Sequence, residues 1–256
     1  MKKMFCLTDV PVRFMEITGG AAYGKRELAS ALAASGATLR EVNHWTPAEI
    51  GTSPLLMVGT TADRRIQILL ENAGVEVCDT PEGVIYQWCD IQDGKVLVLA
   101  GTDDTGLMYA LLEMSERIAA HGFEALNATE NLFECPDNRV RCVDRYVVGH
   151  LDDEWLKSEK FWSYYLPRLA KARFNRFCLI VGFDTAYMAP PYPFFVPVEG
   201  YEDIAVVGQS DAARDENLRM LRRMGQMCHE HGILFEFGTW QQRPWTSEQK
   251  QLVTGL

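Results

Sequence analysis

Residues 140–148 read VRCVDRYVV, and residues 161–181 read FWSYYLPRLAKARFNRFCLIV. The first stretch predicts a β-strand. The second predicts a helix followed by an apolar strand over 177–181. Pro167 interrupts the helical pattern, so we expect the helix either to begin shortly before the proline or to kink there. A strand, a helix and a further strand in this order are typical of a parallel sheet.

The same alternation continues toward the C-terminus. Residues 212–230 predict a second helix, and residues 233–238, which read ILFEFG, predict a third strand. Gly232 between them is a helix stop. A long loop rich in proline and aromatic residues, 187–195, follows the second strand. Long loops after strands and short turns after helices suit either a (β/α) barrel or a doubly wound sheet.

The first part of the chain also alternates strands and helices. The residue spacing predicts these elements in order: helix 25–35, strand 55–59, helix 66–73, strands 84–89 and 96–100, and a helix from 107. The two later strands form a hairpin, because Asp93-Gly94 accommodates the positive φ of a tight turn. Thr102 and Asp103 are available as caps for the last helix. This part is therefore expected to be a sheet with packed helices.

A polar segment without periodicity, 127–138, separates the two parts and contains Pro136. We place the domain boundary there, giving a small α+β domain over 1–135 and a second domain over 136–256. About 120 residues follow the boundary, whereas a complete (β/α)8 barrel takes about 250. The fold class is therefore predicted as α/β, with an accessory domain followed by the first three βα units of an incomplete (β/α)8 barrel. Such a barrel would expose strand edges and could self-associate through them.

Composition excludes several classes of partner. The net charge is −10, from 25 Lys and Arg against 35 Asp and Glu, which disfavours binding to nucleic acid. No stretch approaches the roughly 20 apolar residues of a membrane helix. The N-terminus begins like a signal peptide, but Asp9, Pro11 and Arg13 interrupt its apolar run, so we expect a cytoplasmic protein.

No metal or organic cofactor is expected. The seven cysteines lack a C-x-x-C pair and fit buried free thiols, and residues 229–231 lack the H-E-x-x-H spacing of zinc enzymes. The segment Gly101–Gly106 follows a strand and opens a helix, as a dinucleotide loop would. It lacks the G-x-G-x-x-G pattern, however, and its two aspartates would repel a pyrophosphate.

Two stretches of the first domain carry a resemblance to a known family. The pairing of 55–60, LLMVGT, with 99–111, LAGTDDTGLMYAL, resembles the accessory domain that precedes the catalytic barrel in family 20 β-hexosaminidases and α-glucuronidases. Residues 139–145, RVRCVDR, are similar to the first barrel strand of these enzymes, where an arginine often contacts the sugar. Residues 169–177, LAKARFNRF, resemble the passage from the first barrel helix into the second strand.

The resemblance covers about 55–256 and departs from the family in two ways. The His-x-Gly and Asp-Glu elements of the later hexosaminidase strands have no counterpart before Leu256. The second strand ends in Val181-Gly182-Phe183-Asp184 instead of a histidine- and tryptophan-rich sequence. The resemblance implies a glycoside hydrolase acting on oligo- or polysaccharides, hexosaminidase- or glucuronidase-like, and assigns no catalytic residue.

Candidate sugar contacts follow from the expected barrel, whose functional residues stand at the carboxyl ends of strands. We predict these substrate-binding residues: Arg141, Arg145, Asp184, Tyr187, Glu236 and Trp240. Glu236 lies between Phe235 and Phe237, so burial would require a partner, either a sugar or a barrel arginine such as Arg141. The arginines could instead form interface salt bridges, and Tyr187 and Trp240 could simply pack within their loops.

Three functions remain open at this point. The leading one is the N-terminal portion of a glycoside hydrolase, with the 256-residue chain alone inactive. The second is a non-catalytic carbohydrate-binding or scaffolding protein that retains the front half of such an enzyme. The third, an unrelated α/β oxidoreductase or transferase, would need a cofactor loop that the sequence lacks.

Overall fold

The computed structural model describes residues 8–46, 48–50, 54–77, 80–182, 188, 191–197 and 199–239. The chain divides into two compact units, 1–139 and 140–256. The predicted α/β class is confirmed. The polar segment 127–138, where we placed the boundary, belongs to the first unit and contributes a short strand to its sheet.

The first unit is a six-stranded mixed sheet with helices on both faces. Its elements are β1 (Thr8–Phe14), α1 (Gly19–Ala34), β2 (Ala37–Glu41), β3 (Leu55–Thr60), α2 (Arg64–Asn72), β4 (Val84–Ile91), β5 (Gly94–Gly101), α3 (Asp104–His121) and β6 (Leu132–Glu134). The strand order is β2-β1-β3-β5-β4-β6. Strands β1, β2, β3 and β5 run parallel, and β4 pairs antiparallel with β5 and β6.

The two faces of this sheet bury different helices. Ile66 and Leu70 of α2 pack with Met57 and Val98 on one face. On the other face, Tyr86 donates a 2.7 Å hydrogen bond from its hydroxyl to the carbonyl of Ala110 in α3. Strand β5 is buried on both faces from residue 96 onward, which explains its continuous apolar sequence.

Helices α1 and α3 pack closely at Gly24. A Cβ atom at this position would lie 2.9 Å from Leu111 Cβ and 3.1 Å from the carbonyl oxygen of Met108. Glycine is therefore required by the approach of the two helices.

The turn from β5 into α3 is fixed by hydrogen bonds between the side chains of Thr102 and Asp103 and the backbone. The Asp103 carboxylate accepts from the backbone N–H of Gly106 at 2.8 Å and from that of Glu82 at 2.9 Å. Thr102 Oγ1 accepts from Gly83 N at 2.8 Å and donates to the carbonyl of Thr80 at 2.7 Å. These bonds cap α3 and hold Glu82 at φ +62°, an unusual value for a residue with a side chain.

The second unit contains a three-stranded parallel sheet in the order β7-β8-β9. Its elements are β7 (Cys142–Tyr146), α4 (Asp153–Leu156), α5 (Glu159–Lys171), β8 (Arg176–Val181), α6 (Tyr192–Phe195), α7 (Asp211–Glu230) and β9 (Leu234–Thr239). The predicted strands and the two long helices are confirmed to within a few residues. Ser158 caps α5 and Ser210 caps α7, each through its hydroxyl.

Alternation along β8 separates two faces of this sheet. Phe177, Leu179 and Val181 are buried, and the Trp162 ring of α5 meets Phe177 at 5.3 Å between centroids. This is the helix face. Arg176, Cys178 and Ile180 point to the opposite side and are only partly buried.

Three details differ from the sequence-based expectations. Strand β1 contains Pro11, which pairs with Arg40 of β2 just before pairing to β3 begins at Val12. Helix α5 begins at Glu159 and includes Pro167, so of the two alternatives the one in which it begins close to the proline is wrong. Helix α1 begins at Gly19, earlier than the predicted residue 25.

Candidate functional site

The second face of the β7-β8-β9 sheet carries most of the polar side chains that the strands provide. We call it the polar face. Its residues form three rows in the strand register, which are Tyr146-Ile180-Gly238 at the carboxyl end, Asp144-Cys178-Glu236 in the middle and Cys142-Arg176-Leu234 at the amino end. Functional residues of parallel α/β proteins gather at the carboxyl ends of strands, so the first two rows are the candidate site.

Glu236 is held by an arginine of the neighbouring strand. Arg176 Nη1 donates to Glu236 Oε1 at 2.6 Å, and both side chains are about one-third exposed. The sequence had suggested an arginine partner for Glu236 and had offered Arg141, but the partner in this pair is Arg176. One oxygen of Glu236 therefore faces a cation.

Asp144 is an exposed carboxylate at the same level of the sheet. It contacts Cys142, whose Sγ donates to Oδ1 at 3.5 Å. Burial, together with this hydrogen bond and the charge of Asp144, raises the pKa of the Cys142 thiol to about 11. Burial and the nearby carboxylates Asp144 and Glu236 also raise the pKa of Cys178. Both thiols are therefore protonated near neutral pH and are poor nucleophiles.

Tyr146 places an aromatic ring at the carboxyl end of β7. The residue is 41% exposed, and it shares the upper row with Ile180 and Gly238. A Cβ atom on Gly238 would lie 2.9 Å from Ile180 Cγ1, so the absence of a side chain there makes room for the isoleucine. An exposed tyrosine ring at the carboxyl end of a strand offers both C–H stacking and hydroxyl hydrogen bonds.

Arg145 lies on the helix face, in an aromatic box. Its guanidinium carbon is 3.9 Å from the ring centroid of Trp155, 5.0 Å from that of Phe161 and 5.8 Å from that of Tyr165. Arg145 Nε is buried and has no hydrogen-bond partner among the residues that the structure describes. The side chain thus points away from the polar face.

Asp152 organises the loop that follows β7. Its carboxylate accepts from the backbone N–H groups of Val148 at 2.7 Å and Gly149 at 3.0 Å, and from Trp155 Nε1 at 2.8 Å. Burial alone would raise the pKa of Asp152. These three hydrogen bonds and the charge of Arg145 outweigh it, so the pKa lies below its ordinary value.

The other predicted site residues fall into two groups. Arg141 precedes β7 at the amino end of the strand, where its Nε donates to the carbonyl of Arg173 at 2.5 Å and its backbone N–H donates to Asn175 Oδ1 at 2.9 Å. Arg141 is therefore at the end opposite to the candidate site. The remaining three, Asp184, Tyr187 and Trp240, lie outside the described residues.

The sequence-based prediction missed Asp144, Tyr146 and Arg176. The signal was available in the alternation of β7, where Asp144 and Tyr146 occupy positions of opposite parity to Val143 and Arg145. The alternation does not show which of the two sets of alternate residues in β7 faces the helices. That choice depends on which side of the sheet α5 packs, and the structure fixes it through Arg145, Trp155 and Phe161.

Within the described ranges, no cluster of His, Cys, Asp and Glu has the arrangement of a metal site. Across the same residues, no helix has the length and apolar character needed to span a bilayer.

Comparison with known proteins gives similarity of fold. No model of a protein family matches the sequence, and no curated protein matches it. Among solved structures the chain is similar to a GH138 enzyme targeting pectin rhamnogalacturonan II, with 14% sequence identity and a TM-score of 0.62, over 90% of this chain and 31% of that chain. It is also similar to CpGH84D, with 14% identity and a TM-score of 0.55, over 90% of this chain and 33% of that chain.

Both of these structures are glycoside hydrolases, and the chain spans about a third of their length. The likeness extends over both units of the chain, because it covers 90% of the residues. The chain therefore has a fold like that of glycoside hydrolases.

Proposed function

We propose that this chain is the N-terminal portion of a glycoside hydrolase that acts on oligo- or polysaccharides. In this proposal the first unit is an accessory domain, and β7, β8 and β9 are the first strands of a (β/α)8 barrel. The polar face is then the inner wall of the barrel. The observation that carries the proposal is the row of Asp144, Cys178 and Glu236, capped at the carboxyl end by the exposed Tyr146.

The polar face has the chemistry that a sugar requires. The Tyr146 ring offers an apolar surface to the C–H face of a pyranose, and the carboxylates of Asp144 and Glu236 accept hydrogen bonds from hydroxyl groups. Arg176 neutralises Glu236, so the two carboxylates have different electrostatic environments. Asp184, Tyr187 and Trp240 follow β8 and β9 in the chain, and we propose them as further sugar contacts.

The substrate class is part of the proposal. The resemblance of the sequence favours a hexosaminide or a glucuronide. One structural neighbour, the GH138 enzyme, is described as targeting pectin rhamnogalacturonan II, which makes this pectin a third candidate. We propose that the chain alone binds carbohydrate and does not hydrolyse it, since glycosidic cleavage needs a general acid and a base or nucleophile in a defined geometry.

A binding and turnover assay tests this function. The chain would be titrated with chitin oligosaccharides, glucuronoxylan oligosaccharides and rhamnogalacturonan II by isothermal titration calorimetry, and incubated with aryl glycosides to measure release of the aryl alcohol. We expect binding to one class without turnover, and a loss of at least about fivefold in affinity in Tyr146→Ala, because stacking on an aromatic ring contributes about 1–3 kcal/mol.

Tyr164→Ala is the matched control, since Tyr164 is 60% exposed on α5, away from the strands. Equal losses of affinity in the two variants would show that the polar face is not the binding site. Absence of binding to all three carbohydrates at millimolar concentration would overturn the proposal. Rapid hydrolysis by the chain alone would contradict its predicted inactivity.

The second candidate is a non-catalytic carbohydrate-binding protein. The pairing of Glu236 with Arg176 favours it, because the Glu236 oxygen that accepts from Arg176 is not free to contact a glycosidic bond at the same time. The two functions predict different turnover for a longer protein. Extension of the sequence in its reading frame gives turnover if the first is correct and leaves turnover absent if the second is correct.

A further inference from the structure

The loop after β7, residues 147–152, is displayed at the carboxyl edge of the second sheet. Leu151 is 94% exposed and Val148 is 49% exposed, whereas Val147 is fully buried. An apolar loop tip of this kind would be mobile unless its backbone were held. The backbone is held, because the N–H groups of Val148 and Gly149 both donate to the Asp152 carboxylate.

Trp155 connects this carboxylate to the helix face. Its indole Nε1 donates to Asp152 Oδ1 at 2.8 Å. The face of the same ring lies 3.9 Å from the guanidinium carbon of Arg145. Arg145, Trp155 and Asp152 therefore form a continuous series of contacts from strand β7 to the loop backbone, which we call the loop anchor.

Arg145 is placed to act through this anchor. Its side chain is enclosed by Trp155, Phe161 and Tyr165, and its Nε has no hydrogen-bond partner in the described part of the chain. A cation that has lost water interacts with aromatic faces more strongly than an exposed one, and Trp is the best such partner. The arginine orients the Trp155 ring, and the ring orients Asp152.

We propose that Arg145 is a positioning residue, which fixes loop 147–152 through Trp155 and Asp152 as a preformed rim of the carbohydrate site. The preformed loop presents Val148 and Leu151 to the ligand without an ordering penalty at the moment of binding. Arg145 itself does not touch the sugar. The contribution to sugar binding rests on the proposed function, whereas the anchoring of the loop does not.

Amide hydrogen exchange of Val148 and Gly149 tests the anchor directly. The four proteins to compare with the unaltered chain are Arg145→Met, Arg145→Lys, Asp152→Asn and Arg168→Met. Arg145→Met keeps an unbranched apolar stem and removes the guanidinium group with its charge. We expect the two amides to exchange at least about tenfold faster in Arg145→Met and Asp152→Asn, with partial rescue in Arg145→Lys, because Lys retains the cation but not the planar stacking.

Arg168→Met is the matched control. Arg168 stacks on the exposed Tyr164 at 3.3 Å, so it loses the same type of contact outside the anchor and should leave both amides unchanged. The β8 amides in the same samples report whether each variant is folded. If Arg145→Met disturbs β8 as well, the anchor is judged from the exchange rates of Val148 and Gly149 in Arg145→Lys and Asp152→Asn. Unchanged exchange at Val148 and Gly149 in the folded Arg145 and Asp152 variants would overturn the anchor.

A double variant tests whether Arg145 acts through Asp152. Combining Arg145→Met with Asp152→Asn should accelerate exchange no more than Asp152→Asn alone, since the two substitutions break one series of contacts. Additive acceleration would show that Arg145 acts by a separate route and would overturn the proposed mechanism.

The same variants separate the anchor from the proposed function. With the carbohydrate that the unaltered chain binds, we expect the affinity of Arg145→Met to fall about tenfold in parallel with the faster exchange. A loss of affinity without faster exchange would make Arg145 a direct sugar contact and would overturn its positioning role. If the unaltered chain binds no carbohydrate, the proposed function fails, while the exchange experiment still decides whether the anchor exists.

Discussion

Arg176 and Glu236 join strands β8 and β9 across the polar face, with 2.6 Å between Nη1 and Oε1. Each side chain keeps about one-third of its surface exposed, so solvent screens the pair. Its net contribution to stability is therefore that of a partly exposed ion pair, about 0.5–1 kcal/mol. It fixes the positions of the two side chains more than it stabilises the sheet.

The first prediction concerns this pair. Glu236→Gln should lower the free energy of unfolding of the second unit by about 0.5–1 kcal/mol, and the effect should shrink in 1 M salt. Urea denaturation followed by tryptophan fluorescence measures it. Glu154→Gln is the control, because Glu154 is exposed and forms no ion pair in the described regions. A loss above about 3 kcal/mol would mean that the pair is buried in solution.

The second prediction concerns the cap of α3. Asp103→Ala removes the acceptor of both the Gly106 and Glu82 N–H groups, so the first unit should lose about 2 kcal/mol of unfolding free energy. The two N–H groups bind different oxygens of Asp103, so Asp103→Asn keeps an acceptor for one of them and should lose about half of that. Chemical denaturation of the two variants measures the difference. Equal losses would show that the charge, and not the hydrogen bonds, stabilises this turn.

The third prediction compares two helical glycines. Gly24→Ala places a Cβ 2.9 Å from Leu111 Cβ, and the overpacking cost of about 1–3 kcal/mol exceeds the helix-propensity gain of about 1 kcal/mol. Gly225→Ala in α7 places its Cβ 3.4 Å from the Phe235 ring, an ordinary contact, so the propensity gain should prevail. The midpoint temperature of thermal unfolding should therefore fall in Gly24→Ala and rise in Gly225→Ala. Stabilisation by Gly24→Ala would show that α1 and α3 are farther apart.

The fourth prediction is a pH dependence of the loop anchor. The pKa of Asp152 is lowered in the folded chain, so its contribution is complete above the ordinary value of 3.8 and is lost as the pH falls through the lower folded value. Protection of the Val148 and Gly149 amides should hold from neutral pH to about pH 4, after correction for the intrinsic exchange rate. Below about pH 4 the protection of these amides should decrease. Loss of protection above about pH 5 would mean that Asp152 is not held as a carboxylate.

The fifth prediction concerns thiol reactivity. Because the pKa of Cys142 is about 11, its thiolate is a minor species near pH 8, and alkylation by iodoacetamide should be slow and should accelerate with every unit of pH up to that value. Asp144→Asn removes a negative charge and should speed alkylation at about pH 8 by up to about tenfold. Peptide mass spectrometry measures the rate. Cys228, whose pKa burial raises to about 12, is the internal control and should not respond.

Much of the fold could be predicted because its elements carry local signals. Helix α7 has a serine cap and an apolar face, and the β4-β5 hairpin has Asp93 at φ +67° in its turn. Strand β1 lacked such a signal. Pro11 and the charges of Asp9 and Arg13 disguise it, and it is stabilised by pairing with both β2 and β3, which are distant in sequence. Strand β6, with its three residues, likewise depends on pairing with β4.

The residues of the candidate site carry weaker local signals than the elements of the fold. Glu236 could be recognised because a charged residue between two phenylalanines in a strand needs a partner, and the structure supplies one in Arg176. Arg145 was chosen for its charge, yet its direction depends on the position of Trp155, which no local pattern specifies. Side-chain direction in a strand is set by which face the helices cover, and that is a tertiary property.

The order of the strands has a consequence for biosynthesis. In the second unit, strand order equals chain order, so β8 pairs with a strand already made, and β9 does the same. During translation this sheet can grow by one strand at a time, with connections of 29 residues (147–175) and 52 residues (182–233) between its strands. In the first unit, β5 lies between β3 and β4, so one edge of β3 stays open until Gly101 has left the ribosome. In the second unit, the free edge of β8 stays open from Val181 until Thr239, which is longer than the wait of β3 from Thr60 to Gly101. The nascent second unit is therefore the part with the longer need for protection by a chaperone.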